Sequence, residues 1–290
     1  MRPSRKRWSS ERLAEGVLFA DGAMGTMLSS AGLRPGECPE EWNVTHPEEV
    51  TAVHQAYADA GSELMLTNTF GGSGIKLSRF GMRDRVTELN SGAVEAARGV
   101  EGVCVAASIG PTGEFIEPLG QVSRSEMVAV YSEQIAACRE ADIVWIETMM
   151  DLSEARVAVE AARRTVDLPV ALTFTYDETP AGPRTMMGVS PSDVAEEFGD
   201  VDVLGANCTT VGACLAAAQA YRTGVPDMPL AAKPNAGMPR FEAGRTVFTL
   251  DAAGFTDEVA ALKEIVAILG GCCGTTPEHI ATLADTAADA

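Results

Sequence analysis

Two adjacent cysteines, Cys272 and Cys273, stand in Gly270-Gly271-Cys272-Cys273-Gly274, and a third, Cys208, closes Gly205-Ala206-Asn207-Cys208. Successive strand side chains point to opposite faces, so neighbouring thiols reach one metal ion only where the strand breaks. The three glycines allow the irregular backbone that such a break needs. Three thiolates suit zinc, and an open fourth tetrahedral position separates a catalytic centre from a closed structural one. The paired C-x2-C knuckles usual in structural zinc sites do not occur. A strained vicinal disulfide and two small core residues are the competing readings of the pair. The position of all three thiols at the ends of apolar runs favours the metal. A zinc trithiolate is already anionic and activates water weakly, yet it holds an incoming thiol as thiolate near neutral pH. Electron-rich sulfur attacks an electrophilic methyl group, so the residues point to thiol alkylation rather than hydrolysis.

Other polar residues fall at similar places. Asp21 opens Asp21-Gly22-Ala23-Met24-Gly25-Thr26, and Glu147 ends the apolar run Trp145-Ile146-Glu147. A buried acid needs a cation, and a glycine-bearing turn offers backbone N–H groups to an anion. Together they suit the ammonium and carboxylate of an α-amino acid, although a turn or capping role for Asp21 and a salt bridge for Glu147 remain open. Asn68 and Asn235 are neutral donors at strand ends, able to orient a substrate, fill the open metal position, or simply form turns. His46, His54 and His279 lie in or beside helical stretches and are expected off the metal. Trp42 is read as packing or as a wall of the site. Cys38, Cys104, Cys138 and Cys214 lack any glycine context and read as structural.

Eight runs rich in Val, Ile, Leu and Thr must position these groups: Val17–Asp21, Leu64–Phe70, Val103–Gly110, Ile143–Thr148, Val170–Tyr176, Val203–Cys208, Leu230–Pro234 and Ile265–Gly270. They recur roughly every 25–45 residues with amphipathic stretches between them, among them Pro47–Ala60, Ser123–Glu140, Leu152–Arg164 and Ser190–Gly199, the spacing of βα units. Eight such units predict an α/β fold, a (β/α)8 TIM barrel, whose reactive groups gather at the C-terminal strand ends; an open doubly wound sheet is the rival. One domain over residues 1–290 is expected, with 1–10 a flexible arm. A net charge of -19 argues against nucleic acid and anionic membrane surfaces. No apolar stretch approaches the roughly 18 residues of a membrane helix, and the basic cluster Arg2, Arg5, Lys6 and Arg7 precedes no signal-like apolar run. A cytoplasmic protein is the expectation.

The segments Asp21–Leu28, Thr67–Phe70, Gly110–Gly113, Glu147-Thr148, Gly205–Cys208 and Gly270–Ile280 resemble homocysteine S-methyltransferase domains. They look most like the homocysteine-binding module of cobalamin-dependent methionine synthase. The resemblance implies a zinc-dependent barrel with Cys208, Cys272 and Cys273 as ligands. It also implies that Asp21 and Glu147 hold the homocysteine amino group, that the backbone at Gly22 and Ala23 takes the carboxylate, and that Asn235 caps zinc before substrate arrives. A betaine site would want aromatic walls, and only 6% of the chain is aromatic. The folate, cobalamin and activation modules of the multidomain synthase do not fit in 290 residues, so methylcobalamin is expected on a separate corrinoid protein. The alternatives are S-methylmethionine or a methylated amine as donor, or a non-catalytic subunit that binds a corrinoid protein.

Overall fold

The apolar runs become strands, and in the computed structural model, which describes residues 12–13, 15–242 and 245–288, eight of them form one parallel sheet. The arm expected at 1–10 lies outside the described residues. In chain order the strands are β1 (Leu18–Phe19), β2 (Leu64–Leu66), β3 (Cys104–Ile109), β4 (Ile143–Met149), β5 (Val170–Phe174), β6 (Val203–Asn207) and β7 (Leu230–Lys233). A two-stranded antiparallel hairpin follows, β8 (Pro239–Glu242) with β9 (Arg245–Phe248), and then β10 (Ile268–Leu269). β10 lies between β7 and β1, with Ile268 opposite both Ala231 and Leu18. The ring closes where Ala20 bridges Leu64 in parallel. At that seam Glu63 N–H donates to the Phe19 carbonyl at 2.7 Å and Asp21 N–H to the Leu64 carbonyl at 3.0 Å. This is the predicted (β/α)8 barrel.

The main helices pack outside it: α1 (Met24–Ala31), α2 (Pro47–Asp59), α3 (Val86–Arg98), α4 (Arg124–Ala137), α5 (Leu152–Thr165), α6 (Pro191–Glu197), α7 (Val211–Gly224), α8 (Ala252–Val259) and α9 (Pro277–Ala288). Local chemistry starts them. Ser123 and Ser190 each cap a helix in a reciprocal box with Glu126 and Asp193, satisfying amides that have no partner within the helix. Pro191 occupies the first turn of α6, where its missing N–H costs nothing.

Seven of the eight ladders are shorter than their apolar runs. The run Leu64–Phe70 pairs only as far as Leu66, because the next residues turn their hydroxyls on one another: Thr67 Oγ1 meets Thr69 Oγ1 at 2.6 Å, and Thr69 Oγ1 donates to the Ser108 carbonyl at 2.7 Å. Ile265–Gly270 pairs only at Ile268–Leu269. The β8–β9 hairpin sits in a stretch that the apolar pattern left unassigned.

Alternation along the strands builds the interior in layers. Leu18, Leu64, Cys104, Ile143, Val203 and Ile268 point inward with Trp145 above them, all buried. Each such aliphatic contributes about 1.5–3 kcal/mol by leaving water. Two residues further along β3, β4, β5, β6 and β7, the inward positions change character. Ser108, Glu147, Thr173, Asn207 and Lys233 are buried too, but polar. They face the mouth, where the loops after the strands converge.

Candidate active site

The three cysteines meet at that mouth. Their sulfurs all lie within 4.8 Å of one another, with Cys208 Sγ 3.7 Å from Cys273 Sγ. Tetrahedral zinc with bonds of about 2.3 Å sets its sulfurs about 3.8 Å apart, so the trio fits that ion. All seven cysteines are free, which removes the vicinal disulfide, and Cys38, Cys104, Cys138 and Cys214 are buried away from the trio. Backbone geometry brings the ligands in. Cys208 takes a positive φ of 56° at the end of β6, and its N–H donates to the Lys233 carbonyl at 3.1 Å. Cys272 N–H donates to the Pro234 carbonyl at 2.8 Å, and Cys273 accepts from Ala236 N–H at 3.0 Å. Hydrogen bonds from Cys208 and Cys272 pull the Cys273 thiol down to about 3, while its bonds to both neighbours push Cys208 far above the usual thiol range. Such a trio carries negative charge and calls for a cation.

Asn235 sits on the turn that these bonds define. Its N–H donates to the Thr209 carbonyl at 2.9 Å, but its buried Oδ1 has no hydrogen-bond partner. The next residue, Ala236, bonds the Cys273 carbonyl, so this orphaned carboxamide lies on the same turn as one of the thiols.

A cavity of about 280 Å³ opens beside the thiols, lined by Asp21 to Thr26, Glu147, Lys233, Cys208, Cys272 and Cys273 among others. Glu147 is held from both sides: Ser108 Oγ donates to Oε1 at 2.5 Å, and Asn207 Nδ2 donates to Oε2 at 3.0 Å. Thr173 Oγ1 in turn donates to Asn207 Oδ1 at 2.8 Å. Burial, with Cys272 nearby, pushes the Glu147 carboxyl up to about 7. Asp21 is engaged differently from the sequence expectation. Its Oδ1 accepts from Lys233 Nζ at 2.5 Å and its Oδ2 from Leu66 N–H at 2.8 Å, so each oxygen already holds one donor. Burial raises its carboxyl, with Lys233 pulling the other way.

Gly22 and Ala23 lie where α1 begins, and the first amides of that helix edge the cavity. Gly22 is required: a Cβ there would lie 2.6 Å from Thr275 Oγ1 and 2.8 Å from the Tyr57 hydroxyl. Asn68 also lines the cavity, but its Nδ2 donates to the Pro39 carbonyl at 2.7 Å and to Asn43 Oδ1 at 2.9 Å. Its carboxamide N–H groups tie down the segment that carries Glu40. Trp42 stacks on His46 at 4.4 Å, outside the cavity wall. His279 spends both ring nitrogens, on Thr276 and on the Leu250 carbonyl at 3.2 Å.

Residues 18–287 match the model of the family described as Homocysteine S-methyltransferase. The chain belongs to that family. The chain is 31% identical to a methionine synthase from Mycobacterium leprae over 94% of its own length, and 30% identical to one from Mycobacterium tuberculosis over 96%. It spans only 24% and 25% of those relatives. The metallated form of the homocysteine methyltransferase MmuM from Escherichia coli superposes with a TM-score of 0.76 at 23% identity, covering 93% of this chain and 96% of that one, a likeness of fold.

The site also contains residues that the sequence did not single out. Lys233, Ser108 and Asn207 all follow the rule that exposed Glu147, a polar residue at the end of an apolar run. Their partners sit on other strands, and only the closed barrel reveals them.

Proposed function

We propose that this methyltransferase, as one barrel domain over residues 1–290, moves a methyl group onto the thiol of homocysteine to form methionine. It would hold one zinc ion on Cys208, Cys272 and Cys273 and take the methyl group from a methylcorrinoid carried by a separate protein. The observation that carries this reading is the convergence of three sulfurs beside a cavity that presents a carboxylate and a helix N-terminus. Among the described residues, this is the one group of His, Cys, Asp and Glu spaced to hold a metal.

Zinc at the trio supplies a lowered thiol pKa, so that an acceptor sulfur stays a thiolate at neutral pH. The protein supplies position. Glu147, ionised and fixed by Ser108 and Asn207, takes the ammonium of the amino acid. The amides that open α1 favour the carboxylate, since partial positive charge collects at a helix N-terminus. Asn235 Oδ1, orphaned on the turn that meets Cys273, is the candidate fourth ligand before the acceptor arrives. In the transfer the acceptor thiol loses its proton and its sulfur lone pair forms the new S–CH3 bond. The donor keeps the electrons of the bond that breaks.

The donor reading draws on the mouth. Phe115, Leu119, Met186 and Met238 on loops and Phe241 on the β8–β9 hairpin are all exposed at this end of the barrel, and exposed apolar surface of that kind suits a macromolecular partner. Among the described residues Phe70 is the one aromatic lining the cavity, and Lys76 Nζ already lies 4.3 Å from its ring centroid, so these residues form no aromatic cage for a methylated amine. The test is zinc content by elemental analysis, with methionine formation from homocysteine assayed with methylcobalamin, S-methylmethionine and methylated amines in turn. Zinc and product with methylcobalamin alone are expected. Absence of zinc, or of product with every donor, overturns the reading.

A further inference from the structure

Lys233 ends β7 and points inward on the same two-residue alternation as Glu147. It is 3% exposed, and it is the only basic side chain lining the cavity among the described residues. An ammonium has three N–H donors. One goes to Asp21 Oδ1, and no other hydrogen bond from Nζ is formed among the described residues. A buried ammonium with two donors left over is costly unless something else accepts them. Asp21 takes only one donor: its Oδ2 accepts from Leu66 N–H, and no second bond from Nζ to Asp21 is formed.

We propose that Lys233 is a substrate-binding residue that takes the carboxylate of the amino-acid acceptor and so selects acceptors that carry one. The proposal rests on the amino-acid thiol reading above and assigns the two ends of that ligand. Glu147 is the negative end of the cavity. Lys233, beside Gly22 and the first amides of α1, is the positive end. Asp21 then acts by positioning: it anchors the lysine, leaving the ligand ammonium to Glu147. An ion pair that merely joined β7 to β1 would stabilise the barrel without discriminating between ligands.

The test compares binding of L-methionine with that of L-methioninol, which keeps the ammonium and thioether but has an alcohol in place of the carboxylate. Titration calorimetry on the purified protein reads both. Wild type should prefer methionine, and Lys233→Met should lose roughly tenfold to hundredfold in methionine affinity, the worth of a charge-assisted hydrogen bond, while methioninol binding stays within about threefold of wild type. Because the single variant leaves Asp21 buried and unpaired, the same comparison is made between D21N and D21N/K233M, where no ion pair exists to break. Loss of preference in both comparisons supports the proposal. Equal losses for the two ligands, or no loss, overturn the Lys233 assignment alone. Wild type that binds neither ligand overturns the amino-acid reading, and the assignment with it.

Discussion

Trp145 and Glu147 stand two residues apart on β4, both pointing into the barrel and both buried. Around Trp145 the neighbouring strands offer Leu, Ile, Val and Ala, and the indole Nε1 finds no hydrogen-bond partner. Around Glu147 they offer Ser108, Asn207, Thr173 and Lys233, and both carboxylate oxygens are bonded. One turn of the strand alternation therefore separates a layer that holds the barrel together from a layer that acts on a ligand. Glu147 comes to the mouth already bonded by residues from adjacent strands, so much of the cost of burying it is met before any ligand binds.

The sharpest way to separate the layers is at the metal. Cys272→Ala should abolish zinc retention and activity, since two thiolates hold the ion poorly, while leaving the circular dichroism and melting of the barrel near wild type. A variant that keeps stoichiometric zinc would break the contrast. Trp145→Ala probes the other layer: it should cost about 3–5 kcal/mol of stability in urea unfolding while the zinc content of the folded fraction stays unchanged. Glu147→Gln should retain zinc and weaken methionine binding by roughly tenfold to hundredfold; loss of metal in this variant would show that the carboxylate supports the ligands rather than the substrate.

A pH series sharpens the role of Glu147. Its carboxyl is raised to about 7 from 4.5, chiefly by burial. Its contribution to stability is therefore fully present below 4.5 and is lost as pH rises through about 7. Ligand binding runs the other way, because only the ionised carboxylate accepts the ammonium. Methionine affinity should climb by up to about tenfold per pH unit below 7 and flatten above it, and E147Q should flatten the whole curve. The smallest effect is expected at Ser108→Ala, which removes one of two donors to Glu147 and should weaken methionine by less than about tenfold.

How much of this was legible follows from what each residue needs. The barrel was legible because each strand carries its own apolar signature, and the cysteine trio because glycines flank the vicinal pair and Cys208 ends a run. Strand ends were not: the retreat of β2 at Leu66 depends on hydroxyl bonds between Thr67, Thr69 and β3. The roles of Asp21 and Asn68 were readable as acid and amide but not as occupied groups. Asp21 is paired with a lysine 212 residues away, and Asn68 is tied to Pro39 and Asn43. The hairpin escaped because β8 is exposed along its whole length and no residue described in β9 is fully buried, so no burial pattern marks them.

That hairpin constrains the cysteine motif. Gly274, at a φ of +82°, directly follows the vicinal pair, and a Cβ there would lie 2.2 Å from Phe248 Cγ on β9. A side chain at 274 is therefore excluded while Phe248 keeps its place. Among descendants of this chain, a larger residue after the cysteines would have to follow a smaller one at 248, and a hairpin grafted from a cousin would inherit the same limit.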